Sequence, residues 1–379
     1  GHQSMWHESI KMRVADEVKG MDSGHACHAP VHAFPMGFTA KDIAALTVWW
    51  LISEGQRAVA ERMKTKKLEV ALGMTLGIPM YFYDQENLRS VFLNISRAGW
   101  FIFRNHGPIE SPLLRFDMAR KYLDDAYSKL TTTTVPPAQI RDWIRPEAEA
   151  AMWWAFQSPT VPAGEYAKVD IGAGTTHASV FRIGAALGTN VKDAIAFYGS
   201  SSSTTGMDAV DEALALWQKL NPAHCLVLRG QENALLRNPA AVTACSDVID
   251  RIVRTFNAAW IDGYQKNKGS IHEVQRWDNC RLFVIGGGSL VNAIREKVAY
   301  HPQKPGIPLQ MNQVECPPDL AFPDSRSVSQ ETLRFILVGY GLSQIGLSIP
   351  TAMTPSEIPP LPAVETRRRQ LDHEDIYAK

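Results

Sequence analysis

The feature of this sequence that most constrains the fold is a glycine-rich turn between two apolar segments, at residues 166–181. The apolar flanks predict two strands, and the glycines predict a hairpin break between them. Glycines let a backbone approach a ligand closely, and successive N–H groups in such a turn form a concavity that binds anions. By itself, the motif predicts either an ordinary glycine hairpin or a phosphate-binding turn.

The residues of this turn have the chemistry of a nucleotide site. Asp170 ends the first predicted strand, where its carboxylate can hold a hydrated divalent cation. Gly172 and Gly174 form the turn, and the hydroxyls of Thr175 and Thr176 can donate hydrogen bonds to a phosphate. We therefore treat these five positions as candidate ligand-binding residues.

A second glycine-rich segment, at residues 281–298, strengthens the phosphate hypothesis. It contains a buried strand, three glycines, a serine at a predicted N-cap position and an amphipathic helix. The start of such a helix can present N–H groups to a nucleotide. The sequence contains no Walker GxxxxGK[ST] loop, and this segment is not a GxGxxG fingerprint. Its candidate ligand-binding residues are Gly286, Gly287, Gly288 and Ser289.

A polar loop at residues 199–211 precedes a third predicted helix. Gly206 and Asp208 stand where this helix begins, so its N-terminus is a second candidate for a phosphate contact. A plain surface loop with a capped helix is the alternative interpretation.

Composition narrows the class of protein. The chain has 379 residues, enough for two domains, and 45% of them are hydrophobic, which permits a sizeable core. Lysine plus arginine equals aspartate plus glutamate, at 39 each, which argues against a chain-wide surface for nucleic acid. No apolar run reaches the roughly 18 residues that span a membrane. Five cysteines without CxxC spacing favour a reduced, cytoplasmic chain.

The N-terminal part contains a dense group of potential metal ligands. Its spacing differs from that of standard zinc sites, and three of the four residues are too close together to converge easily on one ion. This favours an incidental loop over a metal site. The residues are His25, Cys27, His28 and His32.

The remaining patterns predict a chain of alternating helices and strands, which indicates an α/β protein. A strand is predicted at 100–103, directly after a helix that Gly99 ends, and an exposed tail is predicted from Pro350 onward. Helices are predicted at 39–66, 84–99, 115–129, 147–156, 208–220, 239–267 and 331–345.

In their order along the chain, these segments resemble the actin-like ATPase superfamily, most closely the nucleotide-binding domain of 70-kDa heat-shock chaperones. The turn after Asp170 is similar to that family's second phosphate motif, Asp-x-Gly-Gly-Gly-Thr. Residues 284–289 are similar to its adenosine motif, Val-Gly-Gly-Ser. Residues 145–151 and 338–341 resemble its two connecting helices, and residues 78–87 resemble one of its strands.

The resemblance implies a two-lobed α/β fold in which each lobe is a mixed sheet flanked by helices and the nucleotide cleft lies between the lobes. It implies that ATP or ADP binds with Mg²⁺ at Asp170, that Asp170 and Glu147 are catalytic in slow ATP hydrolysis, and that lobe closure regulates a protein partner. The other residues that it assigns to nucleotide binding are Gly172, Gly174, Thr175, Thr176, Gly206, Asp208, Gly286, Gly287, Gly288 and Ser289.

The sequence also departs from the family pattern. The first phosphate hairpin and its lysine are not found, Arg145 stands where the family has an active-site glutamate, and Val291 stands near the position of its adenine-stacking arginine. Three alternatives therefore stay open: a scaffold that binds nucleotide poorly, a filament-forming or otherwise homo-oligomeric actin-like protein, and a small-molecule kinase. The predicted divisions are an irregular segment at 1–37, a first lobe at 38–163, a second lobe at 164–346 and a proline-rich tail at 347–379.

Overall fold

The computed structural model describes residues 10–19, 37–64, 72–109, 115–130, 135–136, 139–184, 194–266, 277–304, 306–317, 320, 329–344 and 351–358. The histidine and cysteine group at residues 25–32 lies outside these ranges, as does most of the predicted tail. None of the helices in the described ranges is long and apolar enough to cross a membrane.

The chain contains both helices and strands, as the sequence predicts. The helices are α1 (Ile10–Lys19), α2 (Ala40–Met63), α3 (Met80–Tyr83), α4 (Glu86–His106), α5 (Phe116–Leu130), α6 (Ile140–Trp143), α7 (Glu147–Gln157), α8 (Met207–Trp217), α9 (Glu232–Leu235), α10 (Pro239–Lys266), α11 (Asn292–Val298) and α12 (Gln330–Ser343). The strands are β1 (Leu76–Ile78), β2 (Ile144–Pro146), β3 (Gly164–Ile171), β4 (Thr176–Ile183), β5 (Ala194–Ser203), β6 (Arg281–Ile285), β7 (Gln310–Met311) and β8 (Thr351–Met353).

A mixed six-stranded sheet with the order β7-β6-β3-β4-β5-β8 organises the C-terminal part of the chain. The central pairs β3–β4 and β4–β5 are antiparallel, whereas β3–β6, β6–β7 and β5–β8 are parallel. Strands β1 and β2 form a separate parallel pair. The fold is therefore α/β, with a mixed sheet flanked by helices, while the two-lobed arrangement stays a prediction.

Side chains of β3 alternate between two apolar layers, because successive residues of a strand point to opposite faces. Ala167, Val169 and Ile171 belong to the core that also contains apolar residues of α8 and α10. Tyr166 belongs to the opposite layer, where it stacks on Phe283 and packs with residues of α7 and α12. Helices therefore cover both faces of the sheet.

The layer against α7 changes from apolar to polar toward the carboxyl end of β3. Lys168 pairs with Ser179 in the β3–β4 register, Asp170 pairs with His177, and His177 pairs with Ser202 across β4–β5. Residues opposite each other in a ladder share a face, so these side chains form one polar row. This row positions the candidate site described below.

The N-terminal helices enclose a core of their own, in which α2 packs along α4. Helix α2, which lies within the helix predicted at 39–66, begins with a capping box: Asp42 N donates to Thr39 Oγ1 at 3.2 Å, and Thr39 N donates to Asp42 Oδ2 at 2.9 Å. Thr39 is thus the N-cap of this helix.

The prediction that Gly99 ends a helix and that a strand follows at 100–103 is wrong. Helix α4 continues to His106 and ends at Gly107, which has a φ of 75°. Gly99 lies inside the helix because a Cβ there would be 2.5 Å from Val48 Cγ1 of α2. The glycine permits close helix packing and does not terminate the helix.

Four other sequence predictions need correction. Residues 199–203, predicted as the start of a polar loop, are the end of strand β5, and residues 351–353, predicted as tail, form β8. Helix α1 occupies part of the N-terminal segment predicted as irregular. Ser289 is not an N-cap, because it lies in a 3₁₀ turn at 287–290 and Val291 precedes α11.

Candidate functional site

Two glycine turns meet at the carboxyl ends of β3 and β6, which are parallel neighbours. A Cβ at Gly286 would lie 2.5 Å from the carbonyl oxygen of Ile171 and 2.6 Å from Asp170 Oδ1. Gly286 also has a φ of 77°, which side chains rarely allow. Both observations explain why the second turn needs glycine at this position, beside Asp170.

Helix α8 is attached to the underside of the first turn. Met207 N donates to the carbonyl of Gly172 at 3.0 Å, and Asp208 N donates to the carbonyl of Ala173 at 2.8 Å. A Cβ at Gly206 would lie 2.4 Å from that same Ala173 oxygen. The phosphate contact at the start of α8 stays a prediction, and these two amides are already engaged by the turn.

A cleft of about 620 Å³ opens beside the two turns. Four of the predicted residues line it, namely Asp170, Gly172, Gly286 and Gly287. The other lining residues are Ala173, Met207, Arg229, Gly230, Glu232, Asn233, Leu290, Val291 and Val338. All of them follow Gly164, so among the described residues the predicted first lobe contributes nothing to the lining.

The remaining predicted residues support the turns from behind. Thr176 is fully buried and donates from Oγ1 to the carbonyl of Thr205 at 2.7 Å. Ser289 is also buried, and its hydroxyl donates to the carbonyl of Gly286 at 2.7 Å. Gly288 lies against Ile171, where a Cβ would be 2.3 Å from its Cγ2. These residues, like the buried Gly174 of the first turn, shape the cleft without lining it.

A buried lysine accompanies Asp170, and we did not predict it as a site residue. Lys168 Nζ lies 3.4 Å from Asp170 Oδ2, and the exposed fractions of the two side chains are 2% and 16%. The two residues are two positions apart on one strand and therefore share a face. Because alternate residues of a strand share a face, the sequence position of Lys168 already indicates that it lies beside the carboxylate.

His177 lies across the ladder from Asp170, and hydroxyl groups contact both of its ring nitrogens. Nε2 is 3.0 Å from Thr175 Oγ1, and Nδ1 is 2.7 Å from Ser202 Oγ. Burial lowers the pKa of His177, against the opposing effects of Glu147 and Asp170. The imidazole is therefore neutral at pH 7 and held in place by both hydroxyls.

Glu147, the second predicted catalytic residue, begins α7 and forms an ion pair with Lys11 of α1. Burial raises its pKa, but the Lys11 ammonium, with a smaller contribution from Lys168, outweighs that effect, so the pKa lies below the usual value. Glu147 is thus ionised at neutral pH. The structure places it near the polar row but not in the cleft lining.

A buried ion cluster forms one side of the cleft. Arg229, which lines the cleft, pairs with the fully buried Asp208 and donates from Nε to Asp211 Oδ2 at 2.8 Å. Burial raises the pKa of Asp211 to about 7, against the opposing effect of Arg229. Asp208 therefore reaches the cleft only through Arg229, which lies in a turn that carried no motif in the sequence.

Asn233, which lines the cleft, connects two backbone segments at its rim. Its Nδ2 donates to the carbonyl of Leu290 at 2.7 Å, and its Oδ1 accepts from Asn292 N at 2.8 Å. These bonds tie α9 to the 3₁₀ turn that follows β6. The rim is therefore built from two segments that are distant in sequence.

The Mg²⁺ implied by the family resemblance stays a prediction. Among the residues that the structure describes, no group of three or more histidine, cysteine, aspartate or glutamate side chains can hold a metal ion. Asp170, the residue that the resemblance assigns to the cation, has an ammonium group beside it, and both nitrogens of its neighbour His177 are engaged by hydroxyls. An ammonium at this distance offsets part of the carboxylate charge that would attract a cation.

Comparison with known proteins assigns the chain to no family. No family model matches the chain, and no curated protein matches it. Among 175 matching chains of solved structures is the ethanolamine utilization protein EutJ from Carboxydothermus hydrogenoformans, with a TM-score of 0.31 and 14% identity. That match covers 53% of this chain and 55% of the other, so the chain spans about half of that structure's length. A likeness of this size carries no argument about fold or activity.

Proposed function

We propose that this chain belongs to the actin-like ATPase superfamily and binds ATP and ADP in the cleft beside β3 and β6. The observation that carries the proposal is the meeting of two glycine turns at the carboxyl ends of parallel neighbours, next to a cleft of about 620 Å³. Ligands of α/β sheets bind beyond the carboxyl ends of the strands. The volume lies within the usual range for small-molecule sites, roughly 300–1,000 Å³.

The lining contains groups suited to both halves of a nucleotide. Gly172 and Asp170 provide polar lining, and backbone N–H groups of a glycine turn can meet a phosphate. Leu290, Val291 and Val338 provide apolar lining for a base. This combination supports a nucleoside phosphate over a purely apolar ligand.

Slow hydrolysis and regulation of a protein partner belong to the same proposal. Phosphoryl transfer depends on positioning and electrostatic stabilisation, and here Glu147 is held in an ion pair with Lys11 instead of lining the cleft. That arrangement favours binding over turnover. A nucleotide-binding scaffold with little hydrolysis is therefore the second candidate function.

Calorimetric titration with ADP and with ATP tests the proposal. Val338→Trp places an indole on the apolar wall of the cleft, whereas Leu216→Trp places one on the surface of α8, where the leucine is 62% exposed. We expect wild type and Leu216→Trp to bind alike, and Val338→Trp to bind at least about tenfold more weakly, a loss of about 1.4 kcal/mol. No binding by wild type, or equal binding by both variants, contradicts the proposed site.

A further inference from the structure

We infer that the ammonium of Lys168 takes the place of a divalent cation beside Asp170, so that the cleft binds its anionic ligand without a metal. The inference rests on the proposed nucleotide site and concerns the charge balance within it. It departs from what the family resemblance implies, because it removes Mg²⁺ from the expected ligand set.

The first step is the position of Asp170. Its carboxylate lines the cleft, 16% of its side chain is exposed, and a negative charge at that position repels a phosphate. Some positive charge must therefore offset Asp170 before an anion can bind beside it. A divalent cation would do this, and so does a fixed ammonium.

The second step is that the ammonium is already present and cannot easily leave. Lys168 Nζ lies 3.4 Å from Asp170 Oδ2, and only 2% of the lysine side chain is exposed. A buried lysine is stable as a cation only beside an acidic partner, so each residue accounts for the presence of the other. The strand geometry places both side chains on one face and so keeps them close together.

The third step concerns the charges near the polar row. Glu147, the other acid near this row, forms an ion pair with Lys11. Two lysines thus offset two carboxylates. Mg²⁺ is usually held by one or two carboxylates together with water and substrate phosphates, and here the carboxylate that lines the cleft is already paired with an ammonium.

Titration of the ligand-free protein with Mn²⁺ alone, followed by the electron paramagnetic resonance of free Mn²⁺, tests the inference without any nucleotide. We expect wild type to show no specific binding at concentrations up to about 1 mM, the weak end of the range for protein cation sites. A stoichiometric Mn²⁺ site that Asp170→Asn abolishes overturns the inference.

Calorimetry with ADP provides the second test. We expect the affinity of wild type in EDTA to lie within about threefold of its affinity in Mg²⁺, whereas a loss of more than about tenfold in EDTA overturns the inference. Absence of ADP binding in both conditions contradicts the proposed function, and the Mn²⁺ titration alone then decides the inference.

A pair of substitutions tests whether the Lys168 ammonium favours ADP binding by offsetting the charge of Asp170. Lys168→Met keeps the side-chain length but leaves Asp170 uncompensated, so ADP binding in EDTA should weaken by about tenfold or more. Adding Asp170→Asn removes the repulsion and should restore the affinity. Failure of the double variant to recover, although circular dichroism shows that it is folded, overturns the role of Lys168.

Discussion

Replacement of Gly341 by alanine tests the contact between α7 and α12 that supports the apolar wall of the cleft. A Cβ on Gly341 would lie 1.9 Å from the carbonyl oxygen of Ala150, 2.5 Å from its carbonyl carbon and 2.8 Å from its Cα. All three atoms belong to the backbone of α7, so no rotamer change can relieve the overlap. The two helices must separate.

Gly339 provides a matched control on the same helix. It is exposed, and a Cβ there meets no atom within 4 Å. Both variants gain the same intrinsic preference of alanine over glycine in a helix, about 0.5–1 kcal/mol. The difference between them therefore isolates the cost of the overlap, which is about 1–3 kcal/mol for an overpacked interior.

The assay is urea unfolding, monitored by tryptophan fluorescence and by circular dichroism. We expect Gly339→Ala to unfold at a higher urea concentration than wild type and Gly341→Ala at a lower one. Val338 lies three residues before Gly341 and lines the cleft, so Gly341→Ala should also weaken ADP binding. Equal free energies of unfolding, within about 0.5 kcal/mol, would refute the close crossing of the two helices.

Two further predictions concern α8. The pKa of Asp211 is raised to about 7 by burial, so its proton stabilises the folded state below pH 4, and that stability is lost as the pH rises toward 7. Relative to wild type, Asp211→Asn should therefore gain up to about 4 kcal/mol in free energy of unfolding as the pH rises from roughly 4 to 8, because the pKa of Asp211 differs by about three units between the folded and unfolded chains. Thermal unfolding across that pH range measures this difference. Parallel curves of stability against pH for the two proteins contradict the prediction. Gly206→Ala places a methyl 2.4 Å from the Ala173 oxygen and should displace α8 from the turn, with a loss of ADP affinity of about tenfold in calorimetry. Wild-type affinity in a folded Gly206→Ala variant would show that the attachment of α8 does not shape the cleft.

Long, periodic or glycine-marked segments were predictable from the sequence. The hairpin around Gly172, the strand before Gly286 and helix α10 lie where the sequence predicts them. Each has a local pattern that is strong enough to decide its conformation, because strand alternation and turn chemistry act within a few residues. The α/β class followed from these elements.

Elements that depend on distant partners were not predictable. Gly99 looks like a helix stop until Val48 of α2 is known to lie against it. Residues 200–203 have a loop-like composition, and they form a strand because β4 pairs with them along the polar row. Intrinsic preference is weak where tertiary pairing decides the conformation.

The candidate site divides in the same way. Asp170 and the glycines form recognisable sequence motifs, and the two-residue repeat of a strand is enough to place Lys168 on the same face as Asp170. Arg229 carried no such signal, since its role follows from two carboxylates on α8 that only the folded chain brings to it. The sequence motifs therefore predict the glycine turns of the site, whereas the charge partners of its residues are known only from the structure.

Two hydrogen bonds from α8 to the carbonyls of Gly172 and Ala173 couple the position of the turn to the position of the helix. A ligand that shifts the turn must either break both bonds or carry the helix with it. The far end of α8 displays Leu216, and the following loop displays Leu220 and Val227, all exposed at the surface. We therefore expect a small displacement at the mouth of the cleft to move exposed apolar side chains at the other end of α8.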